Sequence, residues 1–173
     1  MPERRLINVS PPRQRELDSQ FSWLRDVHVD EKKEDVHVLS VSTFDHWLSR
    51  EEACEMLENV PLVEQARRDS LLAAFCASMI AETNVLSFAL RGRQKDRITF
   101  RNFTSEVMLA SYCKPYGGKL LGHRHFYVVL PELDCAFYES WDNTYHFFFT
   151  KPGIADAALN WAKQSNTYLL SHS

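Results

Sequence analysis

Glycine is scarce in this 173-residue chain, which has five in all, and that scarcity removes several classes of function. Phosphate loops and dinucleotide fingerprints need glycines at fixed offsets so that backbone amides can approach an anion. No such spacing occurs, and Tyr116-Gly117-Gly118-Lys119 reads as a turn. A G-x-S-x-G elbow, an H-E-x-x-H helix motif and a calcium-loop pattern are equally absent. No apolar run approaches the ~20 residues of a membrane span. Met1 to Asn8 carries two arginines with no signal-peptide core behind them, so the sequence predicts a cytoplasmic protein with no membrane attachment. The four cysteines, Cys54, Cys76, Cys113 and Cys135, form no close pair and are expected as reduced core thiols rather than disulfides.

What is present is a globular composition, 45% hydrophobic and 12% aromatic, without low-complexity tracts. The length suits one domain over 1–173, with residues 1–25 as an N-terminal helical arm and 26–173 as an α+β core. Ser10-Pro11-Pro12 supplies a cap and a proline start for a first helix striped by Leu17, Phe21 and Leu24. Asp26-Val27-His28-Val29 returns as Asp35-Val36-His37-Val38 across a charged connection, which predicts a hairpin whose second strand runs on through Val41. Ser49-Arg50-Glu51-Glu52 is a capping box that opens a helix. Leu62 to Ala81 is strongly helical and apolar nearly all round from Leu71, as a buried spine would be.

Val85 to Leu90 and Ile98 to Phe100 read as strands about an Arg91–Asp96 turn. Phe126–Leu130, Cys135–Trp141 and Tyr145–Thr150 form an antiparallel meander. Pro152-Gly153 stops it, and Ile154, Ala158, Trp161 and Ala162 stripe a closing helix. The expected class is α+β, an antiparallel sheet with helices packed mainly on one face.

Three regions carry candidate chemistry. His123 and His125, two residues apart at a strand entry, project from one face and suit a zinc ion shared with Cys113. Cys135 and His146 are further members of that set, which would make a metal-dependent or thiol enzyme. Competing against it are core thiols, strand-end histidines and the lack of any tightly spaced ligand pair, and no catalytic residue is assigned. Glu132, Asp134 and Glu139 read as ordinary solvated carboxylates. The second region is basic, with eight basic against two acidic side chains from Arg91 to Arg124 and with Phe100, Phe103, Tyr112 and Tyr116 interleaved for stacking on bases. A net charge of −3 argues against a nucleic-acid binder.

The third region is acidic, with eleven acidic against three basic side chains from Asp26 to Glu64. Asp45, His46, Trp47, Glu51, Glu52 and Glu55 are its candidate partner-binding residues, in the combination of steering charge and aromatic anchor that captures basic protein surfaces. In layout and charge the chain resembles bacterial toxin-immunity and inhibitor proteins, which occlude a basic partner. That resemblance implies a non-catalytic protein-binding role without a cofactor, transfers no residues, and is compatible with a homodimer.

Overall fold

A computed structural model of the chain describes residues 4–27, 34–115, 125–140 and 142–172. The capped segment becomes helix α1 (Pro11–Gln20), because Ser10 turns its hydroxyl onto the Arg13 amide and the two prolines occupy the first turn. A short 3-10 turn (Ser22–Asp26) continues it and brings Leu24 inward beside Leu17 and Phe21. Strand β2 (His37–Ser42) follows, then α2 (Arg50–Leu57), α3 (Leu62–Glu82), β3 (Leu86–Arg91), β4 (Arg97–Phe103) and α4 (Glu106–Tyr112). The C-terminal part holds β5 (Tyr127–Leu130), β6 (Cys135–Tyr138), β7 (Thr144–Phe149), α5 (Ile154–Ser165) and β8 (Tyr168–Ser171), while β1 (Leu6–Asn8) lies at the start.

The eight described strands make one antiparallel sheet in the order β1-β4-β3-β5-β6-β7-β2-β8. Its centre is the meander β5-β6-β7, whose second turn places Asn143 in the left-handed region, where asparagine is tolerated. These three strands are apolar at successive positions, so they present apolar side chains to both faces. Val128, Leu130, Cys135, Phe137, Tyr145 and Phe147 point to a layer formed by α3, α4 and α5. Val129, Ala136 and Phe148 point the other way, to Leu17, Phe21 and Leu24.

The α+β class and the antiparallel sheet are as the sequence predicts, with three helices against one face. The N-terminal helical segment lays its Leu17, Phe21 and Leu24 stripe on the core, with α1 and its 3-10 turn covering the opposite face of the sheet. The predicted hairpin is also corrected. Asp26 closes the 3-10 turn, and β2 is flanked by β7 on one side and by β8 on the other, so its neighbours come from far along the chain. Residues 28–33, the rest of that expected hairpin, lie outside the described residues. Helix α3 buries Leu72, Phe75, Cys76 and Met79 but leaves Ala74 and Ala77 exposed. From Leu71 onward its exposed apolar positions are alanines, so it packs through one face and is not a spine buried all round. Among the described residues no helix is long and apolar enough to cross a membrane.

Gln14 does an unusual job at the β4 edge. Where β1 ends and the chain turns into α1, the Gln14 carboxamide donates to the Ile98 carbonyl at 2.8 Å and accepts from the Phe100 amide at 3.1 Å. One side chain thus continues the ladder that β1 abandons. Gln14→Ala is expected to lower stability by about 1–3 kcal/mol through the stranded backbone groups, as measured by urea unfolding.

Candidate functional site

The acidic region is built around α2. Ser49 caps it, accepting from the Glu52 amide at 3.2 Å, and the Glu52 carboxylate accepts in return from the Ser49 amide at 2.8 Å. The same carboxylate reaches His46, whose Nε2 lies 2.9 Å from Glu52 Oε1 and whose Nδ1 lies 2.6 Å from Asp45 Oδ1. Asp45 first, and then Glu52, raise the basicity of His46 above that of an ordinary histidine. The Ser49 amide and His46 hold the Glu52 carboxyl below the usual range. His46 is therefore tied between two acids at the helix entry and is not free to meet a partner alone.

Trp47 is anchored from the other side. Its Nε1 donates to the Ser171 carbonyl at 2.9 Å, and its ring meets His172 edge to face at 4.7 Å. With its polar atom satisfied by strand β8, the indole still stands 43% exposed. The far end of α2 is pinned by Arg68, which is buried, donates to the Met56 carbonyl at 2.7 Å and to Glu64 at 2.9 Å, and lies over the Phe44 ring at 4.9 Å. Arg67 first, and then Arg68, push the Glu64 carboxyl down to about 2.

Helix α2 itself buries no side chain, and Glu51, Glu55 and Glu58 are exposed along it. Immediately after it, Leu62 and Val63 are 88% and 84% exposed, with Met56 beside Arg68 also in solvent. The sequence reading missed this apolar pair, although its phase betrays it. Val63 precedes Leu72 by nine residues, which at about 100° per residue lands on the far side of the helix.

Among the described residues the members of the expected metal and thiol set do not come together. Cys113 ends α4 in the buried layer, and burial, with the Glu139 carboxylate nearby, pushes its thiol up to about 12. Cys135 starts β6, four residues or ~13 Å from Glu139, and burial raises its thiol as well. His146 is on the opposite face of the sheet from Tyr145 and Phe147. There its Nδ1 lies 2.7 Å from Ser40 Oγ, and Ser40 also lies 2.8 Å from His172 Nε2. Burial first, and then His172, lower its pKa to about 4. Alternation of side chains along β7 separates His146 from both cysteines, so they are not co-ligands.

His125 Nδ1 comes within 3.7 Å of Glu139 Oε2, whereas His123 lies outside the described residues. Among the described residues no three histidine, cysteine or acidic side chains converge as metal ligands. Glu139 itself corrects the solvated reading, because it is buried and accepts from the Phe126 amide at 3.1 Å. The stacking aromatics are corrected too. Phe100 is fully buried against α1, and Phe103 packs on Tyr112 at 5.1 Å, so neither offers a free face to a base; Tyr116 lies outside the described residues.

Comparison with protein-family models, with curated proteins and with solved structures yields no match.

Two measurements probe these assignments. Cys54 is exposed while the other three thiols are buried, so a thiol reagent such as dithionitrobenzoate should titrate one group rapidly in the native protein and all four after denaturation. A fast second thiol would restore the nucleophile hypothesis. His146 is held neutral in the folded protein, so the unfolded chain binds a proton first as pH falls. Stability is then lost from the ordinary pKa of 6.5 down to about 4 and levels off below. His146→Asn is expected to flatten that loss, on the order of 3 kcal/mol between the two limits, in urea titrations at pH 7.5 and 4.

Proposed function

We propose that this chain is a non-catalytic protein-binding module that captures a basic protein surface through the α2 region, in the manner of an inhibitor or toxin-immunity protein. The observation that carries the reading is that α2 contributes no buried side chain to the fold, yet its cap, its histidine clamp and Arg68 hold it firmly in place. A helix kept in position without serving the core has its exposed surface as its product. Exposed there are the Glu51, Glu55 and Glu58 carboxylates and a set of apolar anchors, Trp47 before the helix, Met56 in its last turn, and Leu62 and Val63 after it.

Carboxylates at the rim accelerate encounter with a basic partner and reject acidic ones. The anchors supply the desolvated contact on which affinity rests. Trp47 suits that role because its indole N–H is already satisfied within the protein, so a partner needs only to cover its ring. Thiol chemistry draws no comparable support, because the three buried thiols are all held protonated by burial.

The test is affinity capture from the source cells at low and high salt, with partners identified by mass spectrometry. A basic protein is expected to be retained by the natural chain. Its binding should weaken by about 30-fold with Trp47→Ala and lose on-rate by about tenfold with Glu51→Lys plus Glu55→Lys. His125→Ala should leave capture intact. A partner bound equally well by the charge-reversed chain would sink the reading.

A further inference from the structure

At the opposite edge of the sheet from α2, four arginines converge. Alternation along β4 turns Ile98 and Phe100 into the α1 core and sends Arg97, Thr99 and Arg101 to the other side. Across the ladder Arg91 stands opposite Arg97, and Ser87 opposite Arg101, while Asn8 of β1 faces Arg101 from the outside. Directly opposed residues share a face, so Arg91 and Arg97 form a pair at one end of a basic row with Arg101 ~13 Å further along. Arg25, from the 3-10 turn after α1, closes on the same space.

Strand β1 pairs only with residues 101–103 of β4, and at the edge it leaves open the arginines of one face and α1 and Arg25 of the other line a single groove of about 680 Å³, in which Asp18 is the one acidic side chain among the described residues. Asp18 is already engaged by the Gln14 amide at 2.9 Å. None of the four arginines forms an ion pair with a carboxylate among the described residues. Arg101 Nε is out of contact with solvent and makes no hydrogen bond among the described residues. Guanidinium groups do not shed their charge at any physiological pH, so the four like charges repel one another and favour an anion in the groove.

We propose that this groove binds a small molecule carrying two or more adjacent phosphoryl groups, the chemistry shared by nucleoside polyphosphates and inorganic oligophosphates. Planar guanidinium forks on long side chains suit a run of linked phosphates, each of which can accept two parallel hydrogen bonds. A single phosphate would leave one end of the row uncompensated. The volume falls within the ~300–1,000 Å³ typical of small-ligand sites. Among the described residues no aromatic side chain lines the groove, so they offer no stacking platform of the kind single-strand nucleic-acid binders use. The net charge of −3 and the acidic α2 at the far edge repel any polyanion long enough to outrun the site. This assignment is independent of the protein-binding reading.

Isothermal titration calorimetry on the full chain tests it, with tripolyphosphate, a nucleoside triphosphate and a ten-nucleotide single strand as separate titrants. Tripolyphosphate is expected to bind saturably with a Kd of tens of micromolar or lower, weakening as salt is raised. A nucleoside triphosphate bound tenfold tighter than tripolyphosphate would identify the nucleotide as the source, and equal binding would identify the oligophosphate. Arg97→Gln with Arg101→Gln should weaken binding at least ~tenfold. Arg91→Gln, on an exposed residue, should do so with an unchanged circular dichroism spectrum. Arg93→Gln, outside the groove, and the Glu51→Lys plus Glu55→Lys variant should leave it unaltered. No saturable heat with tripolyphosphate at 1 mM, full binding by both arginine variants, or tighter binding of the single strand than of tripolyphosphate would each overturn the proposal.

Discussion

Phe137 on β6 and Phe147 on β7 face each other with ring centroids 4.4 Å apart, and the rest of the molecule is arranged around keeping water from them. Phe75 of α3 and Trp161 of α5 close over the pair, meeting each other edge to face at 6.0 Å. Trp161 brings one polar atom into that layer, and Glu82 at the end of α3 accepts its indole N–H at 2.8 Å, so no buried donor is wasted. Because the meander strands are apolar on both sides, covering one face is not enough. The segment before β2 has to return across the other, and that is why α1 and its following turn pack beneath Phe100, Val129 and Phe148.

A sheet completed in this way is protected in the middle and open for other uses at its two ends. At the β8 end, the Ser40–His146–His172 contacts and the Trp47 hydrogen bond to Ser171 tie the last strand to the segment that precedes α2. At the β1 end, the three-residue strand runs out and Gln14 takes over the ladder beside the arginine groove. The charge asymmetry of the sequence is thereby converted into a spatial one, with an acidic ridge at one edge and a basic groove at the other. Six inter-strand steps of ~4.8 Å separate β4 from β8, far enough for salt to screen each from the other.

Much of the local structure was legible because its signals are local. The Ser49 capping box, the Ser10 cap with its prolines, the Leu17–Phe21–Leu24 stripe and the Ile154–Ala158–Trp161 stripe all depend on residues within a turn or two of one another, and all appear where the pattern places them. The meander was readable for the same reason, since short turns join strands of adjacent sequence. Strand β8 was not, because Tyr168–Ser171 is four residues long and acquires its identity from β2, more than a hundred residues earlier. The echo at Asp26 and Asp35 misled for the complementary reason. It offered a local partner to β2, but both neighbours it took, β7 and β8, come from the other end of the chain.

The candidate sites divide along the same line. By itself the sequence determined that one stretch is acidic and carries Trp47, that another is basic, and that the caps and stripes form helices, because charge and periodicity are properties of the chain. Only the tertiary structure decided that His146 and Cys135 end on opposite faces, that Glu139 is buried, and that Arg25 joins Arg91, Arg97 and Arg101 around one groove. Strand alternation sends each successive side chain to the opposite face, and the register of strands far apart in sequence selects which of them share a surface; neither register nor neighbour is encoded within any short window of the chain.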